Sequence, residues 1–363
     1  MKDFKASGYS MELLCLAKWG PLLEEFEAVC TVKGLPQEED SGRIKRLFSK
    51  GIENRQIEYI KSEFRNGNFD LIYANTIASA HGALMLKEEL NVPLITHIHE
   101  LQFSLDLYAN EVERNKLLTD SEGIIACSQA VSDNLIKNDP RLKDKTTVIH
   151  SFVDNEAVLN TLIQTNSRAI KEEFGIPQNT YLVGACGNAE WRKGLDVFIN
   201  FVAAAQQDQE LKDKVHFVWI GVKKEGEYFD KIAYDVAKMG IGNSISFIAP
   251  TPKAIEIINS LDVFLVSSRE DPFPLVMLEA ALCEKPILGF EKSGGCSEFV
   301  KDSAGLLTEY LNIQGLVENL KFLRNNPDLS SLKGETGKKQ VLELYNFDTS
   351  VIKLKKYLAN FGS

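Results

Sequence analysis

SSREDPFPLVMLEAALCEKPILGFEKSGGCSEFV, residues 267–300, decides how this chain is read. The run LDVFLVS that leads into it, residues 261–267, has the make-up of a buried strand. Residues 275–283 read as a helix packed beside that strand, entered through Pro272 and Pro274, which fix the turn and suit a helix start. Asp271 then stands on the loop at the carboxyl end of the strand, where open parallel sheets bind ligands. Glu279, eight positions on, falls just over one turn inside the helix, among Val276, Leu278, Ala281 and Leu282. A lone carboxylate in such apolar company needs a partner. Its two oxygens can accept both hydroxyls of a vicinal diol, so the ribose of a nucleotide suits it, and Asp271 can take hydroxyls of a sugar. The plain alternative is a turn aspartate plus a surface helical glutamate, and on these residues alone the two readings stand level.

Outward from this unit, strand and helix alternate along the chain. Apolar runs at 11–17, 71–74, 93–98, 123–127 and 147–149 form a first series, and a second begins at Tyr181 and continues at Val215, Ile245, Leu261, Pro286 and Ala304. An α/β fold with two parallel sheets, each covered by helices on both faces, follows from that rhythm. The length of 363 residues fits two domains of ordinary size, and 44% hydrophobic with 25% charged residues is normal for a globular protein. A formal charge of −10 argues against a general nucleic-acid binder. No apolar run reaches the roughly 20 residues that span a bilayer, so membrane contact would be peripheral. The six cysteines show no paired metal spacing and sit mostly in apolar runs, which reads as buried free thiols in a cytoplasmic protein, with the inner face of the membrane as an alternative location.

Three further stretches carry polar groups at strand ends. In GACGNAEWRKGLDVFINFV, residues 184–202, an apolar strand runs into a glycine turn, the basic pair Arg192 and Lys193, and an amphipathic helix. Cations at a helix start are mildly destabilising unless an anion sits between, which sets this pair apart from a solvated Arg-Lys. FEKSGGCSEFV places Gly294 and Gly295 after the strand at 286–290. VPLITHIHELQFS holds His97 and His99 at alternating positions, so both rings share a face beside Glu100. A metal pair, a core pair and an active-site edge all fit that pattern, although no third ligand shares the metal spacing. Asn75, Thr76 and Ser128 are strand-end polar groups that would line a cleft or cap helices, and for Ser128 the cap is the better reading.

Together these stretches resemble the signature of the family 4 retaining glycosyltransferases, the glycosyl transferases of group 1. That family has the GT-B fold, two Rossmann-like doubly wound parallel-sheet domains facing across a cleft, and a Glu, seven residues, Glu pattern. Asp271 takes the first Glu position and Glu279 the second. Pro272, Phe273 and Pro274 stand where the family has glycine, phenylalanine and glycine. The resemblance implies that Arg192 and Lys193 hold the leaving diphosphate in place of a metal ion, with Asn188 where the family often has an arginine. It also implies that the free amides of Leu275 and Val276 point at that diphosphate. Phe273, Gly294 and Gly295 join the donor site, Glu279 holds the ribose, Asp271 the donor sugar, and His99 the reacting face. Catalytic roles thus fall to His99, Asp271 and Lys193.

The resemblance divides the chain into residues 1–154, an acceptor-side domain; 155–345, a nucleotide-sugar domain; and 346–363, a helix crossing back onto the first. VIHSFVDNE lies at the junction, where Asp154 keeps its place. Residues 1–10 read as the end of a first helix, so one strand and its glycine-rich loop are expected to be missing. The implied function is sugar transfer, with retention, from a nucleotide-diphosphate sugar to a hydroxyl of a glycan, lipid-linked or small-molecule acceptor. No cofactor or metal is expected, since the donor is a substrate and the chain has no Asp-x-Asp. The shortened start motivates an alternative, an inactive donor-binding or interaction protein. A GT-B epimerase fits less well, because the basic loop and acidic pair occur together in family 4 order.

Overall fold

The computed structural model describes residues 1–37, 49–301 and 303–362. Its strands are β1 (Glu12–Cys15), β2 (Thr31–Gly34), β3 (Ile72–Asn75), β4 (Leu94–Ile98), β5 (Gly123–Ala126), β6 (Thr146–Val148), β7 (Tyr181–Cys186), β8 (Val215–Ile220), β9 (Ile245–Ile248), β10 (Val263–Val266), β11 (Ile287–Phe290) and β12 (Gly305–Thr308). Every pairing is parallel. β7 to β12 form one six-stranded sheet in the order β12-β11-β10-β7-β8-β9. β8, β10 and β11 are buried from end to end, as strands covered on both faces must be.

That strand order decides where a ligand can bind. From β7 the chain steps outward through β8 and β9, then returns to place β10 on the other flank of β7 and continues through β11 to β12. The crossovers on either side of the β7/β10 boundary therefore diverge, leaving a crevice beyond the carboxyl ends of those two strands. Loops 187–194 and 267–274 rise from those ends. Behind them, edge-to-face contacts of Phe198 with Phe217 and Trp219, and of Phe201 with Phe217, fill one face of the sheet.

The first half differs from the sequence reading in one respect. Its strands make two sheets, a four-stranded β3-β4-β5-β6 and a separate pair, β1-β2. β2 was not marked by the apolar pattern, because TVKG alternates polar groups and buries little beyond Val32. A cross-strand ion pair, Lys33 to Glu12 at 2.8 Å, helps to hold it. The last helix, Phe347–Leu358, packs Leu354, Tyr357 and Leu358 against Ile95, Ile125 and Ile149 of the first half. Val153 pairs with Asn346 where the chain crosses, and Asp154 caps the helix Asn155–Gln164 by accepting from Ala157 N at 2.9 Å.

Cys127, Cys283 and Cys296 are buried and Cys15, Cys30 and Cys186 partly so, all as free thiols. Among the described residues, no helix is long and apolar enough to cross a membrane.

Candidate active site

The loop after β7 is held open by its backbone. Gly187 turns the chain out of the strand, its carbonyl accepting from the buried Trp219 indole at 2.9 Å. Trp191, Arg192 and Lys193 then form a single tight turn, and Gly194 enters the helix Leu195–Gln207 in the left-handed region at φ 71°. A Cβ at Gly194 would lie 2.2 Å from Ser267 O, so the loop can approach the end of β10 only with glycine there. Ser267 Oγ donates to Lys193 O at 3.1 Å, and Arg269 N to Arg192 O at 2.8 Å. The two loops are laced together.

Side chains finish the junction. Lys193 Nζ lies 2.6 Å from Asp271 Oδ2, with Asp271 almost wholly buried and Ser268 Oγ 3.4 Å from the same oxygen. Asp271 is in turn fixed by its backbone, which pairs with Gly294: Asp271 N donates to Ser293 O at 2.8 Å, and Gly295 N to Asp271 O at 3.0 Å. Gly294 sits at φ 119°, and a Cβ there would lie 1.9 Å from Asp271 O. The glycine pair thus serves the position of Asp271 directly. Lys193, Asp271, Ser267, Ser268, Cys186, Pro274 and Val276 line one small cavity at the crevice.

Arg192 donates to Glu270 O at 3.2 Å, which leaves the rest of its guanidinium near Glu190, 3.9 Å away. Glu279 sits in the second turn of the helix Leu275–Leu282, half-buried, and its carboxylate makes no hydrogen bond or ion pair among the described residues. Burial pushes its pKa above the ordinary carboxylate value. The thiol of Cys186, raised to about 12 by burial and by the Glu279 charge, stays protonated beside it. Leu275 is exposed at the helix start and Val276 half-buried. The ring of Phe273 turns inward, 5.2 Å from Tyr345 and 5.3 Å from His150, so it supports the loop from beneath.

On the four-stranded sheet, His97 and His99 share one face, ring centroids 3.9 Å apart. His97 is buried and bonded through Nδ1 to the Tyr73 hydroxyl, while its Nε2 has no partner among the described residues. His99 Nε2 bonds Asn75 Oδ1 at 3.0 Å. Burial holds the His99 pKa down to about 4 and that of His97 well below the usual imidazole value, so both rings are neutral near pH 7. Glu100 accepts from Ile77 N at 3.2 Å and His99 N at 2.9 Å, and Thr76 between the strands takes φ 76°, a strained value for a β-branched residue. Ser128 caps the helix Gln129–Asn138 by accepting from Val131 N. Among the described residues, no three His, Cys, Asp or Glu side chains gather as a metal site.

Sequence reasoning did not single out Arg269 or Glu270. Arg269 makes a two-pronged ion pair with Asp196, at 2.8 and 2.7 Å, and lies over the Trp191 ring at 5.0 Å. It clamps the basic loop to the first turn of the following helix. Its partner is 73 residues away, beyond the reach of any local pattern.

A family model described as "Glycosyl transferases group 1" matches residues 166–340, and one described as "Glycosyltransferase Family 4" matches residues 2–157. A D-inositol 3-phosphate glycosyltransferase of Stackebrandtia nassauensis is 24% identical over 259 residues, covering 66% of this chain. The match takes in only 57% of that relative's length. Sucrose-phosphate synthase from Thermosynechococcus elongatus superposes with a TM-score of 0.79 at 16% identity, covering 99% of this chain and 90% of its own. Anabaena HepE, solved in complex with UDP and glucose, gives 0.78 at 19% identity, covering 96% and 91%. The architecture is that of a GT-B fold.

Proposed function

We propose, from the premise that this chain belongs to the group 1 glycosyltransferases of family 4, that it moves a sugar from a nucleotide-diphosphate donor to a hydroxyl acceptor with retention of anomeric configuration. The observation that carries this reading is the pairing of Lys193 with Asp271 at the crevice at the ends of β7 and β10, with Glu279, which has no hydrogen-bond partner among the described residues, near Cys186 at the end of β7. Anabaena HepE, whose solved complex holds UDP and glucose, lends support to such a donor.

In this reading Lys193 and Arg192 meet the charge that grows on the leaving diphosphate, worth most in the transition state. The amides of Leu275 and Val276 open the helix toward the same group. Glu279 receives the ribose diol, which relieves a half-buried carboxylate of its isolation. Asp271, steadied by Lys193, accepts sugar hydroxyls. Gly294 and Gly295 let the chain pass close enough to set Asp271. His99, neutral and fixed by Asn75, faces the reacting side as a hydrogen-bonding group. Both crevice carboxylates are assigned to binding, so a front-face reaction in which the departing phosphate takes the acceptor's proton fits best. No cofactor is assigned beyond the donor itself. Residues 1–154 would then hold the acceptor, 155–345 the donor, and 346–363 would join them.

The experiment is turnover of the full chain with UDP-glucose and other nucleotide sugars, against inositol phosphate, glycolipid and oligosaccharide acceptors, with product configuration read by NMR. An α-configured donor should yield an α-linked product. A β-linked product would overturn retention, and nucleotide binding without any transfer would favour an inactive donor-binding protein.

A further inference from the structure

Two helices of the first half begin on amides that carboxylates of the second half satisfy. The helix Gln102–Tyr108 follows β4 and has Leu101 at its N-cap, a side chain with no acceptor to offer. Its orphan amides are met by Glu270, whose carboxylate accepts from Phe103 N at 3.1 Å and Ser104 N at 3.3 Å, across 167 and 166 residues of sequence. The helix Gln129–Asn138 follows the neighbouring strand β5. Ser128 serves its Val131 amide, but Gln129 N is met by Glu298 at 2.8 Å, with His150 3.5 Å from the other oxygen. Glu270 belongs to a loop that builds the crevice, and Glu298 to the short helix Cys296–Val300 behind the glycine pair. Glu270 adjoins Asp271 and accepts the Arg192 guanidinium through its carbonyl, and Glu298 lies in the turn of helix that follows Gly295. A ring contact, Phe103 to Trp191 at 5.0 Å, lies beside the Glu270 bridge.

We infer that Glu270 is a positioning residue for transfer: it ties the segment that carries His99 to the loop that carries Arg192, with Glu298 as a second tie, so that the acceptor side is set against the donor side. The inference rests on the transferase reading. Its physical basis is that charge-assisted bonds to helix-start amides are short-ranged and directional, so a lost bond lets the His99 segment drift while the crevice between β7 and β10 keeps its own lacing. Donor binding and transfer then respond differently.

The test uses the full chain as wild type, Glu270→Gln and Glu298→Gln, with UDP and GDP as binding probes. For Glu270→Gln, hydrogen exchange of residues 101–108 should quicken at least about tenfold, with β4 and β10 unchanged, because one of the two acceptors is lost. The dissociation constant for the bound nucleotide should stay within about twofold, while kcat for transfer falls by about tenfold at unchanged donor KM. Unchanged exchange, unchanged kcat, or a binding loss as large as the kcat loss would overturn the inference. Should Glu270→Gln lose protection throughout, Glu270→Asp, which keeps the charge, is read by the same criteria. Wild-type protein that binds no nucleotide would overturn the transferase reading, whereas wild-type binding and transfer with an unaffected variant would overturn the positioning role alone.

Discussion

The strand ends of the six-stranded sheet are charged and paired, whereas those of the four-stranded sheet are built around neutral groups. Lys193 meets Asp271 at 2.6 Å and Arg269 meets Asp196 at 2.7 Å on the first. His97, His99, Asn75 and Tyr73 form the second, with Glu100 turned to backbone amides. A diphosphate needs fixed cations, and placing them in a sheltered crevice demands counter-charges to hold them until the ligand comes. A hydroxyl acceptor needs groups that accept or donate hydrogen bonds without competing for its proton as full charges. On the proposed reading, this contrast divides the labour of the two halves by electrostatics.

The sharpest way to break this contrast is at Lys193. Lys193→Ala should lower turnover by about 10²–10³-fold, the scale for removing a transition-state charge stabiliser, with a smaller loss in ground-state affinity. Equal losses in both would make Lys193 a binding group only. Next comes the backbone that brings the loops together. Gly194→Ala forces a Cβ toward Ser267 O in a left-handed conformation and should cost about 3 kcal/mol of stability in denaturant unfolding. Gly175→Ala, at φ 64° but with open space around it, should cost only about 1 kcal/mol.

A milder effect is expected at Glu279. Glu279→Gln should weaken nucleotide binding by about tenfold, as for a lost charge-assisted bond pair. Burial raises the Glu279 pKa, so wild-type affinity should begin to fall on acidification above the ordinary carboxylate range, and the variant's profile should be flatter there. The smallest effect concerns the neutral side. The folded His99 pKa is about 4 against roughly 6.5 unfolded, so between those values the unfolded chain binds the extra proton and stability falls as pH drops. His99→Gln should remove a pH-dependent part of stability on the order of 1 kcal/mol over that window, discounted because the ring is partly exposed. An unaltered pH profile would place the ring in a solvated setting.

Much of the charged side was legible in the sequence, for physical reasons. Asp271, Glu279, Arg192 and Lys193 stand out because ionisable residues interrupt the apolar pattern around them, and Gly294 and Gly295 as a glycine pair just after a strand. Neither strand order nor the β7/β10 crevice can be read from apolar runs, which mark strands without saying which lie side by side. The neutral side was harder to read. The His97 and His99 alternation shows that they share a face, but their close ring contact, the strained Thr76 and the Glu100 bonds to amides arise from tertiary contacts. β2 escaped because its four residues bury little beyond Val32 and so form no apolar run. Glu270 and Arg269 sit inside the most informative stretch and still went unmarked, since their partners lie in other elements.

Calorimetric titration of the wild-type chain with UDP, GDP and ADP in chelator, alongside Lys193→Ala and Glu279→Gln, bears most directly on the proposed division between a charged donor side and a neutral acceptor side. We expect one nucleotide to bind without metal and both substitutions to weaken it, while His99→Gln leaves its affinity intact. Binding that is indifferent to Lys193 and Glu279, or lost with His99, would contradict that division.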